Sequence, residues 1–434
     1  MHTLLELFKA FAHTRGLIDG AFVVGGAVRD LLMGKVLKDL DIVVKGDARQ
    51  IAEEFAREAG ASFVVLDADF GVYRLVGNGS ILDLSAVRCN SLSIDLSERD
   101  LTINAMALPL WAIRETPPGE SSPARSVVLN RIDPYNGAQD LSAGILRMVA
   151  EENFIKDPLR LLRVYRFAAT LRFAVEERTL QAVKRLSPLI SSVAAERVSE
   201  ELRHILRAGA SYFTVASMAD SSILSSLLPH GKSMSPSEWE EVLSQYRKAE
   251  EIMQNPSLSF GGEGSFIADY FTSDFRRICV KLSLLSPCRE RAGSTARHLK
   301  LSRKETDFLL ALAAGKERLL RMKDTGEGRE TIRLLKEAGD DIYALVLIAV
   351  AGSRDPSPYR ELLSFYRTLF RKRRELLPLV TGHDLIREFR LVPSPLFRKI
   401  LEEVEDKVLE GTLGTRDEAL ATVGKLIEEE GEKK

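Results

Sequence analysis

The sequence has few of the residues that build disulfide frameworks, structural zinc sites and membrane spans. Only three of its 434 residues are cysteines, Cys89, Cys279 and Cys288, and they show no CxxC or Cys/His spacing. This scatter argues against disulfides and structural zinc, and it favours a reducing, cytoplasmic compartment. No stretch approaches 18 apolar residues, so we expect no segment that spans a membrane.

Histidine, aromatic residues and net charge are also low. The six histidines form no clustered His/Asp set, so the single His383-Asp384 dipeptide does not support a metal-dependent phosphohydrolase. The net charge is -1, which gives no sign of a nucleic-acid partner. Basic character is local: a run at 289–304 and a second cluster are each candidate RNA-binding surfaces, with a solvated helix face as the alternative for each. The cluster consists of Arg367, Arg371, Lys372, Arg373 and Arg374.

The chain is longer than a single core usually serves, so we expect several domains. Apolar patterning predicts an α+β region at 1–138 and helical regions at 139–206, 207–375 and 376–434. A Pro/Ser/Gly-rich segment at 116–126 lies near the first boundary, and 255–265 is predicted to be a loop. A helix is predicted to begin at 98–108, and others at 157–173 and 194–206. Strands are predicted at 21–24, 39–44, 62–66, 72–77 and 81–86.

The segment GGAVRDLLMGKVLKDLDIVV, residues 25–44, combines two features suited to phosphate chemistry. Gly25 and Gly26 follow a strand, so the backbone there can approach a phosphate and the next helix can direct amides at it. Asp39 and Asp41 alternate along a strand and therefore share one face. Paired carboxylates of this kind suit Mg²⁺, and two such ions can support an in-line displacement at phosphorus.

Residues 25–44 resemble the signature of the class II tRNA nucleotidyltransferases and bacterial poly(A) polymerases, within the polymerase-β-like superfamily. The resemblance covers about half of the chain. It implies an α+β nucleotidyltransferase head with a mixed five-stranded sheet, followed by an all-α neck, body and tRNA-binding tail. It also implies a two-metal Mg²⁺ site, CTP and ATP as donors, and the acceptor arm of tRNA as partner. The similarity continues through ERDLTINAMA (98–107), DPYNGAQDLSAGILRMV (133–149), DPLRLLRVYRFAATLRF (157–173) and AAERVSEEL (194–202).

The resemblance implies roles for the carboxylates and for ERDLTIN, residues 98–104. Asp39 and Asp41 would be catalytic metal ligands, with Asp83 as the third; the alternative for Asp83 is a polar residue near a turn. The family pattern RRDxxxN is matched by Arg99, Asp100 and Asn104, while Glu98 replaces its first arginine. Arg99 would suit phosphate and Asp100 a ribose hydroxyl. The alternative for Asp100 is a helix N-cap.

A third motif, KDPLR at 156–160, resembles the family pattern EDxxR, whose Asp and Arg form a template for the incoming base. Asp157 and Arg160 match, and on a helix they would share a face. A carboxylate accepts from the exocyclic amine of cytosine or adenine, and a guanidinium donates to the ring nitrogen. Lys156 replaces the family glutamate. The alternative is an ordinary surface ion pair between Asp157 and Arg160.

The predicted nucleotide-binding set combines these motifs with arginines on neighbouring helices, and Glu196 and Arg197 are expected to be structural. The set is Gly25, Gly26, Arg29, Arg99, Asp100, Asn104, Asp157, Arg160, Arg163 and Arg166.

Only nine residues, CNSLSIDLS, separate ILDLSAVR from the ERD motif. Relatives that add a complete CCA end carry a longer loop there, so we favour the CC-adding branch, with a separate enzyme adding the terminal A. One alternative is a poly(A) polymerase acting on RNA 3′ ends. A second is a catalytically weak RNA-binding protein that retains the fold, motivated by Glu98 and Lys156.

Overall fold

The computed structural model describes residues 3–35, 39–68, 71–113, 130–322 and 328–431, with the backbone alone at Asp39, Asn90 and 430–431. The Pro/Ser/Gly-rich segment at 116–126 lies outside these residues. The chain forms two compact units: Met1–Ile205 with Ser217–Leu227, and Leu206–Ala216 with Leu228–Lys434. The division into four domains stays a prediction.

The first unit begins as an α+β region and becomes helical, as predicted. Its early elements are α1 (Leu4–Thr14), β1 (Ala21–Val24), α2 (Gly26–Leu32), β2 (Asp39–Val44), α3 (Ala48–Ala59), β3 (Ser62–Asp67), β4 (Val72–Gly77), β5 (Ser80–Ala86), α4 (Leu92–Ser97) and β6 (Ala107–Pro109). They are followed by α5 (Gly137–Ala143), β7 (Ile145–Leu146), α6 (Glu152–Lys156), α7 (Leu159–Leu171), β8 (Ala174–Val175), α8 (Glu177–Leu186), α9 (Ala195–Arg207), α10 (Tyr212–Asp220), whose first half belongs to the second unit, and α11 (Ile223–Leu227).

The sheet is mixed, as predicted, but it has six strands rather than five, in the order β3-β4-β5-β2-β1-β6. β2 and β5 are parallel, and the other neighbours are antiparallel. The helix predicted to begin at 98–108 is wrong. A 3₁₀ turn at Thr102–Asn104 leads into β6, because Ala107 pairs with β1 on one side and exchanges both backbone hydrogen bonds with Ile132 on the other.

The two faces of the sheet differ in chemistry because side chains alternate along each strand. On one face, the core includes Leu40 and Ile42 of β2 and Leu82 and Leu84 of β5. Helices α1 and α3 contribute to that core, and the Phe8 and Phe55 rings meet edge to face at 5.0 Å. The alternate positions of β2 and β5 therefore place acidic residues on the opposite face.

Two local features position the 98–104 motif and the helix expected at 157–173. A Cβ at Gly137 would lie 2.1 Å from the carbonyl oxygen of Thr102, so only glycine allows this approach. The helix begins at Leu159, two residues later than predicted. Asp157 has extended backbone angles (φ -139°, ψ 93°) and ends the preceding helix, because a residue before proline disfavours the helical region.

The second unit is helical, and 255–265, predicted to be a loop, instead forms helical turns from Pro256 onward. Its helices are α12 (Pro236–Gln254), α13 (Pro256–Phe260), α14 (Gly264–Tyr270), α15 (Asp274–Leu285), α16 (Arg289–His298), α17 (Arg303–Arg321), α18 (Arg329–Ala338), α19 (Ile342–Gly352), α20 (Ser357–Phe365), α21 (Arg371–Glu375), α22 (Gly382–Phe389), α23 (Pro395–Glu410) and α24 (Arg416–Gly431). Within the described ranges, no helix is both long and apolar enough to cross a membrane.

Candidate active site

A cleft of about 530 Å³ in the first unit brings together nearly all of the site residues predicted there. Asp39 lies on β2, and its side chain is outside the described residues. The predicted residues that line the cleft are Gly25, Gly26, Arg29, Asp41, Asp83, Arg99, Asp100, Asn104, Asp157, Arg160, Arg163 and Arg166.

Asp41 and Asp83 lie directly opposite each other on the parallel strands β2 and β5. Both therefore project from the sheet face away from the core, and Asp83 is not near a turn. Arg74 of β4 holds Asp83 through two hydrogen bonds, of 2.8 and 2.7 Å. Among the described side chains, no three His, Cys, Asp or Glu groups converge on a metal position. The two aligned carboxylates nevertheless supply the oxygen ligands that Mg²⁺ prefers.

Gly25 sits where the chain leaves β1 for α2, with a φ of +69° that favours glycine. An added Cβ would lie 3.3 Å from Nη1 of Arg99, so the glycine also gives this arginine room. The Gly25 amide donates to the Met106 carbonyl at 3.2 Å. Arg29, on α2, donates to Oδ1 of Asn104 at 2.7 Å, which joins the first motif to the second.

Asp100 is buried and acts as the acceptor at the centre of a network. It accepts from Nε of Arg163 at 2.7 Å, from Asn104 at 3.0 Å and from the Leu101 amide at 2.8 Å. Burial by itself would raise the pKa of Asp100, but the Arg163 charge and these hydrogen bonds hold it well below its ordinary value. Asp100 does not cap an α-helix, because none begins there, so that alternative is wrong.

The arginines of α7 line the cleft beside Phe167. The guanidinium carbons of Arg163 and Arg166 lie 5.5 and 4.5 Å from the centre of its ring. Arg166 also pairs with Glu201 at 3.2 Å. Burial, followed by the nearby Arg163 charge, lowers the pKa of Arg166 below its ordinary value. Cations crowded in this way suit an anionic ligand such as a triphosphate.

Asp157 and Arg160 approach each other, with 3.9 Å between Nε and Oδ2. They do not share a helix face as predicted, since Asp157 precedes the helix. Arg160 is largely buried and donates to the Glu98 carbonyl at 2.6 Å. Because a guanidinium has five N–H donors, this bond leaves others for a ligand. Asp157 also accepts from Arg197 at 3.3 Å, so Arg197 lines the cleft as well.

Several residues whose side chains pair with residues of the motifs were not identified from the sequence. Asp95 accepts from Arg99 at 2.7 Å, and their i,i+4 spacing was a usable signal. Arg88 pairs with Glu98 at 2.5 Å, and Arg74 pairs with Asp83 across strands. Finding these two contacts requires the strand register and the path of the chain after β5, which no local pattern specifies.

The candidate RNA-binding cluster lies in the second unit and divides into two groups. Arg367 pairs with Glu263, and Arg373 donates to the Leu409 carbonyl at 3.1 Å, so both make contacts within the unit. The exposed members of the cluster are Arg371, Lys372 and Arg374.

Comparisons with known proteins agree with this fold. Family models match at 21–94 (poly A polymerase head domain), 172–234 (probable RNA and SrmB-binding site of polymerase A) and 276–423 (tRNA nucleotidyltransferase domain 2). The CC-adding tRNA nucleotidyltransferase of Synechocystis sp. is 30% identical over 94% of this chain and 93% of its own. The A-adding tRNA nucleotidyltransferase of Halalkalibacterium halodurans is 26% identical over 96% and 92%.

Among solved structures, the Thermotoga maritima CCA-adding enzyme complexed with tRNA superposes with a TM-score of 0.70. It is 24% identical and covers 97% of this chain and 94% of its own, so it shows that the fold is shared. Fold and cleft together define a nucleotidyltransferase. The chain belongs to the tRNA nucleotidyltransferase and poly(A) polymerase family, as its motifs predicted. Enzymes of this family generally depend on a divalent metal.

Proposed function

We propose that this chain is a CC-adding tRNA nucleotidyltransferase. It transfers cytidine monophosphate from CTP to the 3′ end of tRNA, and a separate enzyme adds the final A. The connection from β5 to Glu98 is the observation that favours the CC-adding subtype. It consists of a 3₁₀ turn at Arg88–Asn90 and α4, whose Leu96 is fully buried. A connection fixed in this way leaves no long loop to alter the base-reading site between C and A.

Base choice follows from hydrogen-bond complementarity at Asp157 and Arg160. The carboxylate accepts from the cytosine amine, and the guanidinium donates to the ring nitrogen and carbonyl. Uracil presents a carbonyl and an N–H at those positions and would leave buried groups unpaired, which costs about 1–3 kcal/mol per group. Adenine shares the amine but is larger, so the fixed site favours CTP over both.

In the proposed reaction, the 3′ oxygen of the RNA attacks the α-phosphorus of CTP. A new P–O bond forms, the bond from the α-phosphorus to the bridging oxygen breaks, the hydroxyl proton passes to solvent, and pyrophosphate leaves. Asp39, Asp41 and Asp83 would hold Mg²⁺, which polarises the attacking hydroxyl and neutralises charge on the phosphates when bound. Arg99, Arg163 and Arg166 face the triphosphate, and Asp100 holds Arg163 towards it.

The acceptor arm of tRNA would contact the exposed cations of the second unit, Arg371, Lys372 and Arg374. Their exposure supports this assignment, and phosphate contacts of this kind weaken as salt rises. A tRNA substrate and the few, scattered cysteines support a cytoplasmic location for the enzyme.

Three tRNA transcripts test the proposal: one ending before the CCA sequence, one after its first C and one after CC. Each is incubated with Mg²⁺ and CTP, ATP or both, beside a short unstructured RNA. We expect two C additions to the first transcript, one to the second and none to the third, with no A added. Addition of A to the third transcript would contradict the subtype, and A-tailing of the unstructured RNA would identify a poly(A) polymerase.

Asp41→Asn tests the metal assignment in the same assay. Loss of a carboxylate from the metal site should slow C addition by about 100-fold or more, while tRNA binding in a filter assay changes little. Asp19→Asn, at an exposed carboxylate of the 3₁₀ turn Ile18–Gly20 and outside the cleft, is the matched control and should leave the rate unchanged. Near-wild-type turnover of Asp41→Asn would remove Asp41 from the site.

A further inference from the structure

Glu98 and Lys156, the two departures from the family patterns, are in direct contact. Nζ of Lys156 lies 2.8 Å from Oε1 of Glu98, and Nη1 of Arg88 lies 2.5 Å from Oε2 of the same carboxylate. Hydrogen bonds from Lys156, then from Arg88, lower the pKa of Glu98 to about 2. Where the family patterns have Arg and Glu, this chain has the opposite charges at both positions, and its two side chains attract each other.

The backbone around Glu98 is attached to the base-reading region by several hydrogen bonds. Arg160 donates to the Glu98 carbonyl at 2.6 Å. Asn153, on α6, donates to the carbonyls of Ser97 at 2.8 Å and Arg99 at 2.9 Å. Lys156 is the last residue of α6 and lies beside Asp157, so the ion pair spans the same junction.

We propose that Glu98 and Lys156 form a charge-inverted ion pair that positions Arg160 for base selection. Arg160 depends on the Glu98 carbonyl for its position, and the Glu98 side chain is held by Lys156 from the template side and Arg88 from the end of β5. Moving Glu98 moves the carbonyl that orients the guanidinium. The inference rests on the proposed function, since it assigns Arg160 to reading the base.

Nucleotide binding without tRNA tests the proposal by calorimetry, with CTP and UTP titrated separately. The variants are Lys156→Glu, Glu98→Lys, the double exchange Glu98→Lys/Lys156→Glu, and the conservative Lys156→Arg. Each single reversal should reduce the CTP:UTP affinity ratio about tenfold, because it places like charges together beside Arg160. The double exchange should recover part of that loss, because the exchanged side chains attract each other while the new lysine faces Arg88, and Lys156→Arg should preserve the ratio. A double-mutant cycle of this design measures the interaction between the two side chains, apart from the effect that each substitution has alone.

Arg185→Glu is the matched control. It reverses one charge of an exposed 2.5 Å pair with Glu151, next to the other end of α6. We expect an unchanged CTP:UTP ratio in this variant. Thermal unfolding of every variant separates loss of fold from loss of selection.

The outcomes distinguish this inference from the proposed function. If wild type prefers CTP and the single reversals do too, or if the double exchange shows the summed loss of the two, the ion pair does not position Arg160. If wild type binds CTP and UTP equally, the proposed base selection fails, and the inference fails with it.

Discussion

At the scale of single residues, Asp100 shows how one buried carboxylate can organise several cationic and polar groups. Only 4% of its side chain is exposed, yet it stays ionised because Arg163, Asn104 and a backbone amide surround it. The Asp100 charge is also the main reason that the pKa of Arg163 is raised. Removing that charge would leave Arg163 without its main partner, and its guanidinium would be held less firmly in the cleft.

Asp100→Asn should therefore destabilise the protein by about 1–3 kcal/mol and weaken CTP binding. Urea denaturation gives the first quantity and calorimetry the second. Asp140→Asn is a matched comparison, since Asp140 is buried, pairs with Arg147 at 3.0 Å and lies outside the cleft. It should lower stability similarly and leave CTP affinity intact. Equal CTP affinity in the two variants would show that Asp100 only stabilises the fold.

At the scale of elements, the ion pair of Glu98 links the end of β5 to the end of α6 and should make part of the stability depend on pH. The pKa of Glu98 is lowered from 4.5 in its ordinary environment to about 2 in the folded protein. A depressed folded-state pKa contributes stability that is full above pH 4.5 and is lost as pH falls towards 2.

The difference in urea midpoint between wild type and Glu98→Gln should therefore be constant from pH 7 to 5.5 and smaller at pH 3.5. Urea titrations at these three values, followed by circular dichroism, measure it. A difference that grows on acidification would mean that Glu98 is not held by its cationic partners.

Much of the element pattern could be predicted from sequence, because alternation marks strands and capping residues mark helix ends. Asp47 accepts from the Arg49 amide and Gly60 has a φ of +63°, so the ends of α3 follow local rules. β6 escaped prediction because its residues are apolar without alternation, and only pairing with β1 makes them a strand. The extended backbone of Asp157 does have a local signal in the sequence, because the residue before a proline disfavours the helical region.

The site was predictable as a set of residues, but its internal contacts were not. The motifs placed Asp41, Asp100 and Arg160 in one site, because the resemblance connects segments distant in sequence. The contact of Glu98 with Lys156 joins residues 58 positions apart. In the sequence, each of these residues is a separate departure from a family pattern. Only their contact shows that the charge of one compensates for the charge of the other.

At the scale of the whole molecule, a net charge of -1 means that overall attraction cannot hold an RNA. Binding must come from local arrangements of cations, and the basic cluster of the second unit shows how the fold creates one. Arg367 and Arg373 make contacts within the unit, while Arg371, Lys372 and Arg374 remain exposed. The number of phosphates contacted should then determine how strongly tRNA affinity depends on salt.

Reversal of these three exposed cations to glutamate should weaken tRNA binding and reduce the slope of log affinity against log salt by about 2 to 3, since each phosphate contact contributes about 0.7–0.9. Filter binding from 50 to 300 mM KCl measures both effects. A control variant reverses Arg247, Arg321 and Arg354, exposed side chains scattered over the same unit. The control has the same net charge as the cluster variant. A smaller loss of tRNA affinity in the control would therefore show that the location of the three cations matters, and not only their charge. CTP binding depends on the cleft of the first unit and should be the same in both variants. Equal loss of tRNA affinity in both variants would show that the cluster is an ordinary solvated helix face.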